Sequence, residues 1–139
     1  MEIVASVVID CHVEDVFAHV CDPANDAGWL FVEQVAGDGP GPGARWTIVH
    51  RPVPLRPPRR MAYECVSFDP PAGVAWRGDD SDGRLLVAYA LEAVWTATRL
   101  TRRDEARPAT AWPAPLLRRR MRRDVRGRLQ ALKGVLERG

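Results

Sequence analysis

Hydrophobic positions along this chain change their spacing from segment to segment, and each change marks an expected element. Residues 3–9 are β-branched and apolar on both faces, the pattern of a strand covered on each side. Val13, Val16, Phe17 and Val20 then recur at helical spacing. Asp10 is placed to cap that helix, and Glu14 and Asp15 suit the positive end of its dipole. Pro23 ends it or opens a second short helix reaching about Trp29. From Phe31 onward the period drops to two, and strands are expected over 31–36, 44–51, 61–68, 74–77, 85–93 and 96–102. Leu117, Met121, Val125, Leu129, Leu132 and Leu136 return to intervals of three or four. They predict a helix from about Pro113 to Glu137, roughly 37 Å long. Gly127 and Gly134 weaken it, each by up to about 1 kcal/mol relative to alanine.

The breaks between strands are rich in glycine and proline. Gly37 to Gly43 closes the first hairpin, and Pro52, Pro54, Pro57 and Pro58 interrupt the sheet where no ladder donor is available. Short turns at 69–73 and 78–83 complete an antiparallel meander. Asp79, Asp80 and Asp82 crowd the second of these without the spacing of a calcium loop, so it reads as a hairpin tip. The expected class is α+β: a curved seven-stranded antiparallel sheet, two short helices after strand 1, and a long C-terminal helix over the concave face. Such a shape encloses a cavity for an apolar molecule, and residues 1–139 need only one core.

Composition narrows the function by exclusion. Hydrophobic residues make up 46% and charged residues 27%, the balance of an ordinary globule. The net charge of +2 favours neither nucleic acid nor membrane as a partner. Lys133 is the only lysine, an arginine bias that fits a GC-rich coding sequence. Cys11, Cys21 and Cys65 lack disulfide or metal spacing, the start lacks a basic signal-peptide region, and no run reaches a membrane span. A reducing cytoplasm with three free thiols is expected. With no phosphate loop, zinc motif, nucleophile elbow or dinucleotide fingerprint, neither metal nor cofactor is expected.

Taken in order, the segments resemble the START/SRPBCC superfamily, the helix-grip fold, and most closely its polyketide cyclase/dehydrase-like bacterial branch. Val16-Phe17 with Asp22-Pro23 and Trp29, then Gly43 opening a strand, carry the first part. Val66-Ser67-Phe68-Asp69-Pro70-Pro71 with Val74-Ala75-Trp76-Arg77, then Thr98-Arg99-Leu100-Thr101, carry the sheet. Leu132-Lys133 with Leu136-Glu137 closes the last helix. The resemblance implies a deep apolar cavity holding a hydrophobic small molecule, either for cyclisation or dehydration or for carriage alone. Cyclases of this superfamily often place an arginine and a tyrosine inside; no arginine of this sequence is matched to that role.

Candidate site residues follow from the faces. Trp29, Trp46 and Trp76 suit the wall of a pocket for a flat ligand, with Trp95 and Trp112 expected at the sheet edge and helix start. Leu91 and Thr98 on the late strands, and Leu117, Met121 and Val125 on the last helix, complete the expected ligand-binding wall. Tyr89 shares an apolar face with Leu85, Val87 and Leu91 and is expected to point inward as a candidate acid or base. His50 faces either inward with Trp46 and Ile48 or outward at the strand end. Glu64 lies either with Val66 and Phe68 on an inner face or opposite Tyr63 and Cys65 on an outer one. The arginines between Arg118 and Arg128 read as a solvated helix surface or as a dock for an acidic acyl carrier protein. A homodimer is left open.

Overall fold

A computed structural model describes residues 1–26, 32–50, 57–80, 83–108 and 114–139. Its elements are β1 (Glu2–Ile9), α1 (Val13–Val20), a 3-10 turn (Pro23–Asp26), β2 (Val32–Gly37), β3 (Arg45–His50), β4 (Arg59–Asp69), β5 (Gly73–Asp80), β6 (Gly83–Val94), β7 (Ala97–Pro108) and α2 (Ala114–Arg138). The seven strands form one antiparallel sheet in the order β1-β7-β6-β5-β4-β3-β2. Strands β2 to β7 are successive hairpins, and β1 joins at the far side by pairing with β7, Glu2 opposite Glu105 and Ile9 opposite Thr98. This is the helix-grip arrangement that the order of segments predicts.

One face of the sheet is dry and the other wet. On β1 the inward Ile3 and Ile9 are buried, whereas Val4 and Val8 are 51% and 45% exposed. The expected two-sided cover is therefore absent. β1 is an edge strand, and an antiparallel edge needs cover on only one face. On the outer face Arg99 pairs with Glu92 at 3.3 Å and Arg103 with Glu2 at 3.8 Å. The hydroxyls of Ser6 and Thr101 meet at 2.8 Å on the same side. Exposed pairs of this kind contribute at most about 1 kcal/mol each, so they mark solvent rather than a second packing layer.

The helices cover the dry face. Val16, Phe17 and Val20 bury the stripe of α1, and Phe17 meets Phe68 edge-on with ring centroids 5.5 Å apart. His12, not Asp10, takes the N-cap position of α1, without a side-chain cap. Asp10 instead donates its backbone N–H to Glu137 Oε1 at 3.1 Å. That bond pins the end of α2, together with Lys133 Nζ donating to the Val8 carbonyl at 2.6 Å and Cys11 Sγ to the Leu136 carbonyl at 3.3 Å. Val125, Leu129 and Leu132 are buried, and α2 packs chiefly on β1, with a lighter contact to β7. Among the described residues no helix is long and apolar enough to cross a membrane.

Candidate functional site

The dry face of β3 to β7 carries a diagonal row of large side chains, one from each strand. Trp46 lies opposite Tyr63 across β3 and β4. Tyr63 stacks on Trp76 with centroids 6.1 Å apart and planes 15° apart, and Trp76 meets Tyr89 edge-on at 6.0 Å. Tyr89 pairs in register with Arg102 of β7. Two glycines make the row possible. A Cβ at Gly37 would fall 2.5 Å from the Trp46 ring, and one at Gly78 would fall 2.9 Å from the Tyr63 ring. Neither position tolerates a side chain while those rings stay where they are.

The row ends in three buried polar groups. Arg102 donates from Nε to Asp104 Oδ1 at 2.7 Å and from Nη2 to Asp104 Oδ2 at 3.1 Å, a bidentate fork. Its remaining nitrogen, Nη1, donates to the Tyr89 hydroxyl at 3.0 Å. The guanidinium carbon lies 5.4 Å from the centre of the Tyr89 ring. Arg102 and Asp104 are 3% and 5% exposed, so the pair is sealed from water. Burial works against the charged guanidinium, but Tyr89 and Asp104 beside it outweigh that and raise Arg102 well above its ordinary value. Arg102 is charged at every relevant pH.

This geometry has a chemical consequence. A phenol oxygen that accepts from a cation keeps its own O–H as a donor, and polarisation along the chain strengthens that donor. Asp104 locks the guanidinium, and the guanidinium orients the phenol. The other polar feature is Trp46, which is 6% exposed. Among the described residues, Trp46 Nε1 and Arg128 Nε are buried side-chain nitrogens with no hydrogen-bond partner.

The expected site residues divide accordingly. Tyr89, Trp46 and Trp76 are brought together on the inner face. Val125 is buried, and Met121 packs against the core from α2. Leu91 is buried two residues from Tyr89, opposite Leu100. Thr98 is buried, and its hydroxyl donates to the Cys11 carbonyl at 2.8 Å, which ties β7 to the start of α1. Glu64 is on the outer face, where it meets Arg77 at 3.4 Å with its side chain 41% exposed, too wet to act as a buried acid. A bulge between Cys65 and Ser67 sets this register, turning Phe68 to the dry side after Tyr63 and Cys65. Trp95 is 97% exposed in the β6–β7 turn and covers nothing. Trp29 and Trp112, and the side chains of His50 and Leu117, lie outside the described residues.

Arg102 and Asp104 escape sequence reasoning because β7 is expected to end at residue 102 and instead runs to Pro108. The signal present was their spacing: residues two apart on a strand share a face, so an arginine and an aspartate there can pair inward. On the opposite side of the last helix, Arg119, Arg120, Arg122, Arg123 and Arg126 line a broad depression of about 660 Å³ with Leu116, Gly127 and Gln130.

Known proteins match this architecture closely in shape and weakly in sequence. The Zhui aromatase/cyclase from Streptomyces sp. R1128 superposes with a TM-score of 0.80 at 14% identity, over 99% of this chain and 94% of that one. TTHA0849 from Thermus thermophilus gives 0.78 at 19% identity, over 98% and 97%. The di-domain ARO/CYC StfQ from the steffimycin biosynthetic pathway gives 0.78 at 11%, over 99% of this chain and 51% of that one. No curated protein matches the sequence. Identities this low carry the fold and leave the reaction open. The family model for polyketide cyclase / dehydrase and lipid transport matches residues 1–137. With the fold and that match in agreement, the chain belongs to the polyketide cyclase/dehydrase and lipid transport family.

Proposed function

We propose that this protein binds a flat, apolar, carbonyl-bearing small molecule between the aromatic row and α2, and promotes its cyclisation or dehydration. The carrying observation is the 3.0 Å bond from Arg102 Nη1 to the Tyr89 hydroxyl, inside a shell of tryptophan, tyrosine and valine. A substrate carbonyl seated at Tyr89 meets a phenol already polarised by a fixed cation, an arrangement that stabilises negative charge developing on that oxygen. The aromatic row supplies orientation, holding reacting carbons of a folded chain near each other. An acidic acyl carrier protein delivering such a substrate suits the arginines of α2, and its binding should weaken steeply with salt.

Native mass spectrometry of freshly purified protein tests the binding by identifying a retained molecule. Turnover of that molecule, or of an acyl-chain analogue, tests the chemistry: Tyr89→Phe should cut the rate while affinity changes little. Equal loss of both would reduce Tyr89 to a binding group. One observation favours carriage without catalysis. Both oxygens of Asp104 accept from Arg102, so that carboxylate is engaged in holding the cation and not in moving protons. A bound molecule whose mass never changes would decide for the carrier.

A further inference from the structure

We propose that α2 is a gate hinged at Gly127, whose first half swings away from the sheet while its second half stays fixed. The two halves are held very differently. Beyond Gly127, Leu129 and Leu132 are buried. Lys133 donates to the Val8 carbonyl, the Leu136 carbonyl accepts from Cys11, and Glu137 accepts from the Asp10 backbone. Those bonds fasten the end of the helix to β1 and to the start of α1. Stepping the seam backwards from Val125 by three and by seven residues reaches Arg122 and Arg118, and both are exposed. In this first half Val125 is buried, Met121 packs partly against the core, and Leu116 is 63% exposed. Charge loosens it further. Arg118 and Arg122, Arg119 and Arg123, and Arg122 and Arg126 are like-charged pairs one turn apart, which oppose helix formation. The first turn carries no acid to offset the dipole.

Gly127 lies at the junction of the two halves. It is exposed, and a Cβ there would meet nothing within 4 Å, so no neighbour requires a glycine. At Gly37 and Gly78, by contrast, an aromatic ring fills the space. Glycine inside a helix is about fivefold less favourable than alanine, so Gly127 weakens the rod where the fixed half begins. The residues of α2 before it, Ala114 to Arg126, make about 20 Å of helix. A bend of about 20° at Gly127 moves the far end by roughly 7 Å, about twice the thickness of an aromatic ring. Such a movement uncovers the space between the sheet and α2 without unfastening Lys133, Leu136 or Glu137. The gating role rests on the proposed placement of the ligand between the aromatic row and α2; the hinge does not.

The chain's methionines are Met1, Met61 and Met121, so carbon-13 methyl labelling places one probe on the first half of α2 and another, Met61, on β4. Relaxation dispersion should show microsecond-to-millisecond exchange at Met121 and none at Met61. Gly127→Ala should cut the exchange contribution at Met121 about fivefold, because the same propensity difference lowers the open population. The fluorescent naphthyl ketone 6-propionyl-2-dimethylaminonaphthalene tests the gate by stopped flow. Gly127→Ala should slow its association and dissociation by about the same factor and leave Kd unchanged. A flat profile at Met121 in the wild type, or one that Gly127→Ala leaves as it was, overturns the hinge. Unchanged rates alongside a quieter Met121 overturn the gating role. If the ketone does not bind the wild type, the binding reading falls and the Met121 profile decides the hinge by itself.

Discussion

The Arg102–Asp104 pair allows stability and function to be separated by mutation. Asp104→Asn keeps the shape of the side chain but removes its charge, leaving a guanidinium that is 3% exposed without a counter-ion. Removing one partner of a sealed, bidentate pair costs about 3–5 kcal/mol, since the remaining charge keeps its desolvation penalty and loses its attraction. For a domain of this size that lowers the melting temperature by roughly 10–20 °C. Replacing both, as Arg102→Met with Asp104→Leu, removes the penalty and the attraction together. The double variant should return to within about 1–2 kcal/mol of the wild type. Urea unfolding followed by circular dichroism reads both, and the slopes should agree while the midpoints move. The double variant should nevertheless lose affinity for carbonyl-bearing ligands, because Tyr89 no longer receives the bond from Nη1. Costs below about 1 kcal/mol for Asp104→Asn would refute the account, as would losses in the double variant that simply add. Either result would mean that water reaches the pair.

Three further outcomes follow from local geometry. Thr98→Val should cost about 1–2 kcal/mol in urea by stranding the Cys11 carbonyl, with no change in ligand affinity; a weakened affinity would return Thr98 to the site. Trp95 combines a φ of 58° with 97% exposure, so Trp95→Gly should raise stability by roughly 0.5–1 kcal/mol, and a drop in melting temperature would show that the indole is held by something. Burial pushes the Cys21 and Cys65 thiols up, which lowers the thiolate fraction, and the thiolate is the reactive form. Ellman's reagent at pH about 8 should therefore label the native protein at least about tenfold more slowly than the urea-unfolded chain. Equal rates would place those thiols in solvent.

How far the site could be read from the sequence depends on what fixed each residue's face. Tyr89 was legible because Leu85, Val87 and Leu91 alternate with it and a one-residue slip would bring all of them to solvent. The seam of α2 was legible for the same reason at helical period. Glu64 was not, because Met61, Tyr63 and Cys65 balance Ala62, Val66 and Phe68, and the deciding bulge adds a residue that no periodicity announces. Arg102 was hidden more deeply. In the run Arg102-Arg103-Asp104-Glu105 both faces carry one charge of each sign, so alternation has nothing to detect and the strand reads as ending. In the folded sheet Arg103 meets Glu2 across the wet face while Arg102 and Asp104 turn inward and neutralise each other. A charge is tolerated in a core only with its partner, and on a strand the nearest same-face partner is two residues away. Buried polar machinery in sheets of this kind is therefore better sought as opposite charges at that spacing beside an apolar strand core than as single polar residues on an apolar face. By that criterion the Leu100-Thr101-Arg102-Arg103-Asp104 segment points to the site directly, and Tyr89 follows as the group across the ladder from its arginine.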